Sequence, residues 1–273
     1  MKKLFSGLVV MALVLFVTAC GGGSDKAEMK DGKYQAAGNV TETGWTYYMT
    51  FDVKDGKIAD VDYNGVNLRD GIKETKKVES EAGRYVMAPK STAWHKQAEK
   101  IEEYIEKEQN LDKVEFDEKG NSDAIAGATI HYNDTKDLLK AALEAGPVTE
   151  GKMKDGIYFA EDAKKDEKGF KYTLGYFVNN GVILTANADA YQMGKEKGKD
   201  VKIFKTTLAK EGKYNLGEKA AGSYDKQAQA VADYIIKNQN LDVTVGKDGK
   251  TDAISGATVA VGHWVELFKG LNK

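Results

Sequence analysis

The sequence reads as an α+β fold built twice. Three observations carry that reading: an internal repeat, a β-hairpin signal early in each copy, and an amphipathic helical stripe later in each copy. The repeat comes first because it sets the frame. Lys96-Gln97-Ala98 is matched by Lys226-Gln227-Ala228, and Gln109-Asn110-Leu111-Asp112 by Gln239-Asn240-Leu241-Asp242. Asp123-Ala124-Ile125-Ala126-Gly127-Ala128-Thr129 is matched by Asp252-Ala253-Ile254-Ser255-Gly256-Ala257-Thr258. The offset of about 130 residues is a domain's length, so the pattern is a duplication and not a solenoid period.

The hairpin signal runs from Trp45 to Val53, turns at Asp55-Gly56 and returns from Lys57 to Tyr63. In the second copy it runs from Tyr172 to Val178, turns at Asn180-Gly181 and returns from Val182 to Ala188. Asp-Gly and Asn-Gly suit a tight hairpin, whose central residues need positive φ. The helical stripe is Trp94, Ala98, Ile101 and Ile105, repeated as Tyr224, Ala228, Val231 and Ile235. That spacing aligns one apolar face, with Lys, Glu and Gln expected outside. Short strands are predicted over Lys113–Phe116 and Val243–Val245, and closing helices over Thr135–Ala145 and His263–Leu271. Each domain is therefore expected to be an antiparallel sheet with packed helices.

Gly146-Pro147 ends one helix, and Lys154-Asp155-Gly156-Ile157-Tyr158 then reopens the pattern of Lys30-Asp31-Gly32-Lys33-Tyr34. The expected organisation is a first domain over 30–146 and a second over 151–273. Hydrophobic residues make up 41% of the chain and charged residues 30%, which suits packed soluble domains and excludes a disordered or multi-span protein. The net charge is −2, with Lys interleaved among Asp and Glu, so no basic field favours nucleic acid as a partner. The run Lys195-Glu196-Lys197-Gly198-Lys199 reads as a solvated loop.

Before residue 30 the chain has a different character. Lys2 and Lys3 precede an apolar run from Leu8 to Val17, too short to span a bilayer comfortably. Val17-Thr18-Ala19-Cys20 resembles the lipobox cut by a lipoprotein signal peptidase, with an ordinary cleaved signal as the alternative. The expectation is a signal peptide over 1–19, then lipidated Cys20 and a flexible tether over 20–29. Cys20 is the sole cysteine, so it makes no internal disulfide. Acyl chains stabilise membrane attachment by about 0.8 kcal/mol per buried CH₂. The body is thus expected on the extracytoplasmic face of the cell membrane, held to the bilayer by its anchor.

The chemistry lies in the Asp-to-Thr motif. Each copy follows a turn (Glu118-Lys119-Gly120-Asn121, Lys247-Asp248-Gly249-Lys250) and precedes a helix. Glycine and alanine permit close approach by another group, and the threonine is expected near a helix N-terminus, which favours phosphate. From the residues alone, two readings stand: a phosphate site, or ordinary caps on a strand-to-helix turn. His95, His131 and His263 share no spacing between the copies, so no metal-ligand pattern emerges.

The pattern Asp-x-x-[Ser/Thr]-Gly-Ala-Thr resembles the motif of the FMN-binding domain family, known also from FMN-carrying subunits of the sodium-pumping quinone reductase and Rnf complexes. Asp123, Gly127, Ala128 and Thr129 match in the first copy; Asp252, Ser255, Gly256, Ala257 and Thr258 match in the second. Ala126 stands where the family has a hydroxyl residue. The resemblance implies two FMN groups joined by phosphoester to Thr129 and Thr258, placed there by a flavin transferase that uses FAD. It further implies an electron carrier, not a substrate-specific enzyme, fed by a membrane quinone-linked donor and emptied by ferric iron, soluble flavin or a partner reductase. A covalent link suits an exported protein. A flavin held with a dissociation constant of order 1 μM is bound by only about 8 kcal/mol and leaves its site mostly empty where flavin is dilute. Candidate walls for the flavin ring are Trp45, Tyr47, Tyr48 and Trp94, and Tyr172, Tyr176 and Tyr224, each of them also a natural core residue. The rival reading is a solute-binding or surface-interaction lipoprotein without flavin.

Overall fold

The computed structural model describes residues 29–218 and 220–272. The signal peptide, Cys20 and nearly all of the tether therefore lie outside the described residues. Two compact units are present. One comprises Thr46–Val66, Glu74–Glu150 and the chain up to Asn39; the other comprises Val40–Trp45, Asn67–Lys73 and Gly151–Lys273. The units are not contiguous in sequence, because two short pieces of the first repeat pack with the second.

The first unit carries a three-stranded antiparallel sheet of β1 (Gly32–Ala37), β2 (Trp45–Lys54) and β3 (Lys57–Asn67). The turn between β2 and β3 is Asp55-Gly56, both with positive φ (52° and 69°), as a two-residue hairpin on right-twisted strands requires. Helices α1 (Lys76–Glu81), α2 (Trp94–Glu108) and α3 (Asp134–Ala145) complete the unit. Trp94, Ala98, Ile101 and Ile105 are all buried, packed with Phe51, Tyr63 and Leu138. The helix ends on Gln109 at φ 59°. The Gln109 side chain then bonds both backbone groups of Ile58, accepting at 2.7 Å and donating at 2.9 Å, which ties the helix end to the edge of β3.

The second unit carries a four-stranded antiparallel sheet, β4 (Gly156–Glu161), β5 (Lys171–Asn179), β6 (Val182–Glu196) and β7 (Lys199–Phe204), in that order. Asn180 and Gly181 again take positive φ, 51° and 71°. Helices α4 (Lys205–Lys210), α5 (Tyr224–Asn238) and α6 (Gly262–Leu271) follow. Gln239 repeats the tie, accepting from Ile183 N at 2.6 Å and donating to Ile183 O at 3.0 Å.

Three expectations are corrected. Lys195–Lys199 is not a loop but the closing turn of a further hairpin, with Lys197 and Gly198 at positive φ and Lys195 paired to Asp200. Its charges face water on a ladder formed by the backbone. Lys113–Phe116 and Val243–Val245 are not strands; they are irregular segments whose valines are nonetheless buried at Val114 and Val243. Alternation buried the side chains without supplying a neighbouring strand to pair with. Finally, the polar residues of the long helices are not all outside: Gln97, Glu102 and Gln227 are buried.

Candidate functional site: a clamped threonine beside an aromatic cavity

Each copy of the motif folds as an exposed turn pinned by two buried apolar side chains. Ile125 and Ala128 anchor the first copy, and Ile254 and Ala257 the second. Gly127 and Gly256 take φ of 88° and 84°, a left-handed conformation strained for any residue with a Cβ. Asp123, Ala126, Gly127 and Thr129 are exposed, as are Asp252, Ser255, Gly256 and Thr258. The motif residues thus stand on one short turn per unit, with Ala128 and Ala257 inward and the acid and the threonine outward.

What holds the threonine is a residue that sequence reading placed on the outer face of a helix. Gln97, fully buried in the first turn of α2, accepts from Thr129 N at 2.6 Å, Ile130 N at 3.0 Å and Thr129 Oγ1 at 3.0 Å. Its amide nitrogen donates to Thr92 O at 2.7 Å. Gln227 does the same from α5, accepting from Thr258 N at 2.6 Å, Val259 N at 2.9 Å and Thr258 Oγ1 at 3.1 Å, and donating to Gly222 O at 2.9 Å. Because the hydroxyl proton points to the buried glutamine, the oxygen lone pairs are left to the exposed side. Thr258 Oγ1 also accepts from Ala221 N at 3.2 Å.

This arrangement corrects the helix-terminus expectation. Helix α3 begins at Asp134 and α6 at Gly262, several residues beyond the threonines, and the backbone N–H groups of each threonine and of the residue after it are committed to glutamine. The threonine is set by a side-chain clamp, not by a helix dipole.

In the second unit Thr258 lies on the rim of a cavity of about 510 Å³. Tyr172, Tyr214 and Tyr224 form its aromatic wall, and Lys168, Lys205 and Lys250 bring positive charge against Asp166 and Glu167. The size is that of a small-molecule site, apolar on its walls with a few convergent polar groups. Lys205, the first residue of α4, is only 3% exposed. Its ammonium lies 4.7 Å from the Phe170 ring centre, 5.2 Å from Tyr172, 4.7 Å from Tyr214 and 4.6 Å from Tyr224, and it donates to Tyr172 Oη at 3.3 Å. Burial pulls this lysine down to about 8 and pushes Tyr172 up to about 12. His263 stacks on Tyr172 at 4.2 Å between ring centres and meets Asp162 Oδ2 at 2.6 Å.

The first unit builds the same cage. Lys76, first residue of α1 and 2% exposed, sits 4.6 Å over Tyr47, 4.4 Å over Tyr85 and 5.1 Å over Trp94. It donates to Tyr47 Oη at 2.5 Å, and burial pulls it down to about 8. Lys76 and Lys205 are separated by the interval that separates Thr129 from Thr258, and Tyr85 and Tyr214 share it. That shared interval is the signal that could have found them, together with Gln97 and Gln227, which stand one residue further apart.

Of the proposed aromatic walls, Tyr47, Trp94, Tyr172 and Tyr224 belong to the cages. Tyr176 is buried core, stacked on Tyr158 at 4.8 Å, and Tyr48 is turned to Asp62, to which it donates at 3.1 Å. Trp45 is buried.

Asp134 marks a difference between the copies, standing where the second unit has His263. It accepts from Tyr63 Oη at 2.9 Å, and burial raises its carboxyl to about 6 in spite of that bond and of nearby Lys76. A carboxyl raised above its unfolded value near 3.9 favours the folded state only while protonated, so this contribution is complete below about pH 4 and is lost by about pH 6. Asp134→Asn keeps an acceptor for Tyr63 and is expected to abolish that loss, about 3 kcal/mol. Thermal unfolding of parent and variant across pH 4 to 8 checks it; parallel profiles would contradict the assignment.

The model of the FMN-binding domain family matches residues 44–144. A solution NMR structure of a protein from Clostridium thermocellum is 40% identical over 42% of this chain and 91% of that one, with a TM-score of 0.34. A comparison with curated proteins finds no match.

Proposed function

Through residues 44–144 the chain belongs to the FMN-binding domain family, and from that premise we propose a lipid-anchored, extracytoplasmic electron carrier with FMN esterified to Thr129 and Thr258. One observation carries the reading. In both units an exposed threonine oxygen is held by a buried glutamine, and in the second it stands at the rim of an aromatic, lysine-bearing cavity.

The residues present fit the cofactor. Thr258 offers the ester oxygen, Lys168 and Lys250 at the cavity edge suit a phosphate, and Tyr172, Tyr214 and Tyr224 suit a flat ring. When bound, FMN supplies one- and two-electron transfer. The chain's own residues do the rest. Gln227 and Gln97 orient the attachment oxygens, the aromatic walls exclude water, and the exposed Asp123 and Asp252 leave the turn readable by a flavin transferase using FAD. The second repeat, which lies beyond the matched residues, is read as a flavin domain because it reproduces the clamp and the lysine cage. Electrons would enter from a membrane quinone-linked donor and leave to ferric iron, soluble flavin or a partner reductase. Cys20, lipidated, would hold the body to the membrane.

The test uses exported protein from a host that has the transferase. Flavin fluorescence is expected to persist in the denatured band, and tryptic peptides spanning Thr129 and Thr258 should each carry the added FMN mass. Thr258→Val should remove about half the flavin, and changing both threonines all of it. Bare masses on both peptides would overturn the proposal.

A further inference from the structure

We propose that Lys76 and Lys205 are the cations that face the flavin ring and hold the negative charge it acquires on reduction, so that each lysine sets the potential of its own site. This rests on the reading that Thr129 and Thr258 carry FMN.

Lys205 and Thr258 line one cavity. The ammonium of Lys205 is surrounded by aromatic faces and one tyrosine hydroxyl, and among the described residues no carboxylate pairs with it. Ring quadrupoles lower the energy of a cation without cancelling its charge. A net positive charge is therefore presented at the cavity wall from a buried position, where its field is less screened than in water. The first unit repeats the aromatic faces at Lys76, with Tyr47, Tyr85 and Trp94 around the ammonium and the Asp134 carboxyl acting on it. The lysine is retained in both cages although tryptophan in one is tyrosine in the other.

Stability does not account for these lysines. Burial lowers both to about 8, so each stays mostly charged at neutral pH but at a cost that an exposed lysine does not meet. Each also opens a helix, the end where a cation meets the unfavourable pole of the dipole. Buried charges maintained at such a cost mark functional sites.

A donor of the quinol class releases two electrons and two protons. Both electrons and one proton pass to the ring, the other proton goes to solvent, and the ring gains one negative charge. Lys205 stabilises that charged form over the neutral oxidised one and so raises the potential.

The experiment takes exported, flavinylated protein in a Thr129→Val background, so that the signal comes from Thr258 alone. Lys205→Met and Lys205→Arg are compared by mass of the Thr258 peptide and by spectroelectrochemical titration. Lys205→Met should keep the FMN mass but lose about tenfold in the ratio of reduced to oxidised ring at a given potential, a shift of about 30 mV for a two-electron couple. Lys205→Arg should restore most of it. Unmodified Lys205→Met protein should melt no lower than its parent, which a merely structural lysine would not allow. An unchanged potential at full occupancy would overturn the lysine assignment and leave the flavin reading intact. An unflavinylated parent would overturn both. Should Lys205→Met protein not be flavinylated, Lys76→Met in a Thr258→Val background decides by the same titration.

Discussion

Gln227→Ala is expected to lower the stability of the protein by about 2–4 kcal/mol and to abolish flavin attachment at Thr258, leaving Thr129 modified. The carboxamide oxygen of Gln227 is the acceptor for Thr258 N, Val259 N and Thr258 Oγ1, and its nitrogen satisfies Gly222 O. Truncation orphans two backbone donors and one acceptor around a buried void. Each unsatisfied buried group costs about 1–3 kcal/mol, reduced here because the turn beside it is open to water. Gln227→Glu is expected to fare little better, since a carboxylate cannot donate to Gly222 O and would be a buried charge. Denaturant unfolding measures the first effect and peptide mass the second. A variant of parental stability with Thr258 still esterified would show that the clamp positions nothing.

Arg69→Ala is expected to destabilise the second compact unit by about 3–5 kcal/mol. Arg69 meets Asp189 at 3.3 Å, with both side chains almost wholly buried. It also donates to Glu42 O at 2.7 Å and to Thr206 Oγ1 at 3.2 Å, with its guanidinium 4.3 Å from the Phe204 ring centre. Asp189 in turn accepts from Thr206 Oγ1, Thr206 N and Ala190 N. Burial pushes the Asp189 carboxyl up even against the arginine, so desolvation outruns the attraction and the pair specifies this packing more than it stabilises it. Removing the arginine leaves an uncompensated buried acid. The double change Arg69→Met with Asp189→Leu is therefore expected to recover most of the loss. Equilibrium unfolding of the single and double variants tests this, and a double variant no more stable than Arg69→Ala would reverse the conclusion.

The sequence by itself determined what depends on near neighbours. Asp55-Gly56 and Asn180-Gly181 adopt the positive φ their chemistry favours, and the stripes from Trp94 and Tyr224 face the core because helical periodicity leaves them no other face. The motif turns were legible for the same reason, and their resemblance to a flavin-carrying family is borne out for the first copy by the family match over 44–144. Only the tertiary structure decided what depends on distant partners. Lys113–Phe116 needed a strand alongside and found none, whereas Lys195–Lys199 looked like loop until a backbone ladder formed beneath its charges. Gln97 and Gln227 read as surface glutamines, since the donors they serve lie some thirty residues on. Lys76 and Lys205 gave no signal in the sequence, because the aromatic rings around each come from three separate segments of the chain. A side chain's polarity is written locally, but the partners that allow it to be buried are assembled only when the chain folds.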